Sequence, residues 1–82
     1  MRVEAAALVF EVSDFESCEA IVRQFFRESP SAKIVKVALW TRDLKPIGTR
    51  IWRILDGNVE AMIDIAVGFI MIQPPGLVII SV

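Results

Sequence analysis

The sequence predicts an α+β domain, a two-layer sandwich with an antiparallel sheet and its helices on one face. The element order is ferredoxin-like, β-α-β-β-α-β, with a C-terminal hairpin as a variant. Three observations predict it. Apolar residues recur at three- and four-residue spacing over 15–26, as on one side of a helix. Residues 33–40 alternate apolar and polar, and 49–55 resume a β-like pattern after a turn-rich break. The third is a closing stretch, 59–82, in which only Glu60 and Asp64 are charged.

The 82 residues make a single domain, 1–82, with room for one core. Apolar residues form 55% of the chain and mean hydropathy is +0.58, so a partner is expected to cover some of the surface. Net charge is −1, and no global field draws the chain to nucleic acid or an acidic membrane. The lone cysteine, Cys18, permits no internal disulfide and fits a reducing compartment. The start of the chain does not read as a signal peptide, because the apolar run 5–10 is short and ends at Glu11. A cytoplasmic location is the expectation.

Residues 3–12 are apolar and β-compatible, hence a first strand. Ser13 begins a helix with a capping box: its hydroxyl reaches the Glu16 amide, and the Glu16 side chain reaches back. Phe15, Cys18, Ile21, Val22, Phe25 and Phe26 gather on one arc. Glu19 stands four residues before Arg23 as a favourable pair, and Ser29-Pro30-Ser31 stops the helix. In the strand 33–40, Val35, Val37 and Leu39 face one way, and Ile34, Lys36, Ala38 and Trp40 the other. Residues 41–48, with the Pro46-Ile47-Gly48 break, read as a surface loop. The strand 49–55 follows and closes an antiparallel hairpin.

The last third has two readings. In the favoured one, Asp56 or Asn58 caps a helix from Val59, with Glu60 and Asp64 near its positive end. Gly68 ends that helix, and strands 69–73 and 77–82 follow across Pro74-Pro75-Gly76. In the rival, Val59, Ala61, Ile63, Ile65, Val67, Phe69 and Met71 form one apolar face of a long strand, and Asp56-Gly57 closes a hairpin. A membrane span needs about 20 apolar residues, and Gln73-Pro74-Pro75-Gly76 breaks the run, so membrane insertion is disfavoured.

Little here suggests catalysis. The sequence lacks histidine and tyrosine, the usual acid–base side chain near neutral pH and a common substitute. Cys18 sits on the apolar arc and reads as a packed core thiol. The pairs Glu16/Glu19 and Glu60/Asp64 are explained by capping, helix dipole and solvation. The four glycines are scattered, so no phosphate loop is present. No catalytic residue, cofactor or metal is expected.

Two functions remain as expectations. The first is a non-catalytic interaction or assembly subunit that dimerises or joins a larger complex. Its apolar C-terminal third would make the contacts, through Ile70, Ile72, Leu77, Ile79 and Ile80. The second is single-stranded RNA binding by the basic hairpin 33–53, with Lys36, Trp40, Arg42, Arg50 and Trp52 supplying cations and stacking faces. In that hairpin Trp40 shares a face with Lys36, whereas Trp52 shares one with Ile54.

Overall fold

The computed structural model describes residues 7–30, 32–54, 58–72 and 76–82. The opening of the expected first strand, Ser31, the Asp56-Gly57 turn and Gln73-Pro74-Pro75 lie outside the described residues. The elements run β1 (Ala7–Glu11), α1 (Phe15–Glu28), β2 (Ile34–Trp40), β3 (Pro46–Arg53), α2 (Val59–Ile72) and β4 (Leu77–Ser81). This is the expected α+β order, β-α-β-β-α-β, on one antiparallel sheet. Hydrogen bonding orders the sheet β1-β4-β2-β3, so β4 and β2 hold the centre and β1 and β3 the edges. Each β-α-β unit is split by a strand of the other unit.

α1 forms where its apolar arc was expected, with Cys18, Val22, Phe25 and Phe26 buried. The cap differs by one residue. Asp14, in extended conformation, accepts from the Ser17 amide at 2.7 Å. The Ser13–Glu16 box is thus replaced by a carboxylate, which satisfies an orphan amide and suits the dipole. Arg23 pairs with Glu19 at 3.6 Å, as the spacing predicted.

The largest correction concerns Gly68. It does not end α2, which continues through Phe69 to Ile72. The favoured helix was therefore the right alternative but too short, and 69–72 are helical rather than a strand. Among the described residues only β4 follows, and with 69–72 helical the C-terminal hairpin is not formed. At the start of α2, the Asn58 carbonyl accepts from the Met62 amide at 3.0 Å.

β3 also begins earlier than expected. Pro46, Ile47 and Gly48 belong to the strand, and the loop shrinks to 41–45. An edge strand tolerates proline at its first residue because the missing donor breaks no inner ladder. The loop closes on Thr41: its amide donates to the Lys45 carbonyl at 2.8 Å, and its Oγ1 accepts from the Lys45 amide at 3.0 Å. The Thr41 hydroxyl also bonds Asp43.

Both helices pack on one side of the sheet. The core joins Cys18, Val22, Phe25 and Phe26 of α1 to Met62, Ile63, Ala66, Val67 and Ile70 of α2. The strands contribute Val35, Val37, Leu39, Val78 and Ile80, with Leu8, Phe10, Trp52 and Ile54 at the margin. Each such aliphatic side chain, once fully buried, stabilises the fold by about 1.5–3 kcal/mol before entropy is counted.

Candidate functional site

The strand register sorts every side chain by face. Because Leu8, Phe10, Val78, Ile80, Val35, Val37 and Trp52 point to the helices, their strand neighbours point away. Three rows cross this outer face. One runs Ala7, Ser81, Lys36, Ile51; the next runs Val9, Ile79, Ala38, Thr49; the third runs Glu11, Leu77, Trp40, Pro46. Beyond the first row, Ile34 pairs with Arg53.

Neither helix covers these rows. Val9 is 62%, Ile34 48% and Ile51 64% exposed, while Leu77, Ile79 and Trp40 are half-buried and Ala38 lies sunk between them. The result is an apolar sheet surface bordered by Glu11 at one corner, Arg53 at the opposite corner and Lys36 between. Among the described residues, none of these three charged groups makes an ion pair. Among the described residues the buried Trp40 Nε1 has no hydrogen-bond acceptor, although a buried indole N–H usually finds one.

The five expected contact residues separate accordingly. Ile70 and Ile80 are 0% exposed and belong to the core of the protomer, so neither can meet a partner. Leu77 and Ile79 lie on the outer face. Ile72 is 85% exposed at the end of α2. Val9, Ile34 and Ile51 were missed. Their signal was that β1, β2 and β4 carry apolar residues on both parities, which only a sheet covered on two sides needs. Two helices on one side leave the other bare.

The basic hairpin divides as well. Lys36 and Trp40 lie on the outer face, but Arg50 and Trp52 lie on the helix side. Trp52 packs edge-on against Phe69, with ring centroids 5.5 Å apart, and the Arg50 guanidinium sits 5.7 Å from the same ring. Arg42 belongs to the loop, where its backbone lies against Gly76. The Gly76 amide donates to the Trp40 carbonyl at 2.9 Å. No single stacking platform contains all five residues.

Elsewhere the chemistry is quiet. Cys18 is enclosed by the core, and burial pushes its thiol up from the ordinary value, away from the reactive thiolate. An open groove of about 260 Å³ between α1 and α2 is lined by Arg23, Phe26, Arg27, Val59, Glu60 and Ile63. Its Arg23 is already held by Glu60 at 2.6 Å, which raises the guanidinium above its usual value. Among the described residues no helix is long and apolar enough to cross a membrane. No protein-family model matches this chain, and no curated protein is significantly similar to it.

Proposed function

We propose that this chain is a non-catalytic interaction subunit that docks onto protein through the outer face of its sheet. One observation carries the reading: Val9, Ile79, Leu77 and Trp40 adjoin across β1, β4 and β2, Ile34 and Ile51 stand on the far side of Lys36, and neither helix covers them. Water in contact with such a surface is costly, at about 25 cal/mol for each Å² of apolar area. Scattered exposed apolar residues are ordinary on monomers, but a joined patch marks an interaction site. The proposal keeps Leu77 and Ile79 from the C-terminal third and gives the rest of the contact to β1, β2 and β3. The enclosed thiol and the lack of histidine and tyrosine support a role without catalysis.

A photo-crosslinking residue placed at Val9 or Ile51 tests this in the cells that make the protein. Discrete protein adducts are expected from those two positions and not from Gln24 or Asp64 on the helix layer. Equal labelling from both layers, or none from the sheet, would refute the docking face.

A further inference from the structure

We infer that the open edge of the sheet at β1 takes an extended, basic segment of another protein as an added strand. The two edges of the sheet are not alike. β3 is defended: it opens on Pro46, its register with β2 shifts at Leu39/Trp40, and its Arg50 is turned to the helix side. β1 has none of these devices. Ala7–Glu11 contains no proline, glycine or lysine, pairs with β4 without a shift, and carries its one charge at its end. At alternate residues its N–H and C=O groups turn away from β4, and among the described residues no strand meets them. Its 5 residues are an ordinary strand length, so shortness does not blunt the edge.

Apolar side chains flank that ladder on both sides. On the outer face Val9 is 62% exposed. On the other side the flank comes from α1. Phe69 of α2 packs on Trp52 and lies against Arg50, both on β3, so α2 sits towards β3 and α1 towards β1. Arg23 reaches Glu60 of α2, which marks the α2-facing flank of α1. At about 100° per residue, Ile21 stands about 160° round the helix from Arg23. Ile21 therefore overhangs the β1 edge, where it is half-buried. An added strand would cover Ile21 with one set of alternate side chains and Val9 with the other.

Charge chooses the occupant. Glu11 borders the edge on the outer face, and Asp14 and Glu28 stand at the two ends of the α1 flank that carries Ile21. Both arginines of α1, Arg23 and Arg27, line the groove on its opposite flank. Neither β1 nor β4 contains a lysine or arginine. On these elements the three carboxylates border the ladder with no cation beside them. A second copy would bring the same carboxylates to the seam, and a nucleic acid would bring phosphates. A segment with lysine or arginine at its ends and along its outer side is complementary instead.

The probe is the peptide Lys-Val-Thr-Val-Lys-Val-Lys, capped at both termini, and the readout is amide hydrogen exchange of the full chain by NMR. An interface this small implies a dissociation constant of about 100 μM, so about 1 mM peptide should slow exchange of the β1 amides about tenfold. The β3 amides should not change. Glu11→Lys and Ile21→Ser should each weaken binding about fivefold, with far-UV circular dichroism checking that both fold. Ile79→Asp, on the outer face, should alter it less than twofold, so the result is independent of the docking face proposed above. The peptide with glutamate in place of lysine, and the fully N-methylated peptide, should leave exchange unchanged. No slowing at β1, slowing at β3 instead, or slowing by the N-methylated peptide would overturn strand addition. Equal slowing by the glutamate peptide would overturn the basic segment. Protection of the same β1 amides on raising protein concentration alone would replace the foreign segment with a second copy.

Discussion

Replacing Gly68 by alanine should stabilise the protein, and the sign of the effect decides a question about the fold. Gly68 lies within α2, is exposed, and an added Cβ would meet nothing within 4 Å. No packing is gained or lost, so the change reduces to helix propensity and the restricted unfolded chain, about 1 kcal/mol in favour of alanine. For 82 residues the unfolding entropy is about 170 cal/mol/K, so the melting temperature should rise by about 6 °C. In urea the midpoint should rise by up to about 1 M with an unchanged slope. Both measurements belong at one fixed protein concentration, because any binding to the folded state adds apparent stability. Were Gly68 instead a left-handed residue ending the helix, alanine would cost about 1 kcal/mol. A midpoint that falls or stays put refutes the continuous helix.

Gly76→Ala should do the opposite. A Cβ there would stand 2.6 Å from the Arg42 amide nitrogen and 3.0 Å from its Cα, backbone atoms that cannot swing aside, so a loss of about 1–3 kcal/mol is expected in the same urea titration. Asp14 should make stability depend on pH at the acid end. The Ser17 amide and then its hydroxyl hold the carboxyl below its ordinary value, so this stabilisation is complete above that value and lost as pH falls through the folded-state one. Asp14→Ala should therefore differ most from wild type at neutral pH and converge with it in acid; a difference that does not change with pH would rule out the capping carboxylate. Cys18 should resist a thiol reagent such as Ellman's until the chain unfolds, because it is buried and its thiol raised. Labelling as fast in the native protein as in urea would contradict the enclosed core.

Local periodicity made α1 and β2 legible. Cys18, Val22, Phe25 and Phe26 are buried as the helical spacing required, and Val35, Val37 and Leu39 as the alternation required. Errors fell where a residue's local preference competed with tertiary packing. Gly68 carries the usual signal of a helix end, yet Phe69 beyond it stays helical and its ring packs against Trp52. Pro46 and Gly48 read as a break, yet β2 offers them a ladder at the sheet edge. Ser13 and Asp14 are both good caps, and a shift of one residue chose the carboxylate. Parity told that Trp40 and Trp52 need not share a face, but only the pairing of Val35 with Trp52 sent the second indole towards the helices.

The sequence by itself determined the type and order of the first four elements, because a period of 3.6 or of two residues is written locally, but it left 59–72 open between helix and strand. It also predicted that much of the C-terminal third needs cover, because no charged residue follows Asp64, although Ile65 and Ile72 stay exposed. Which side of that third is buried was decided only in three dimensions. β4 has apolar side chains on both faces, and its insertion between β1 and β2 beneath two helices takes Val78 and Ile80 inward and leaves Leu77 and Ile79 outward. The helices cover one side of the sheet, and no spacing within five residues of strand can say which.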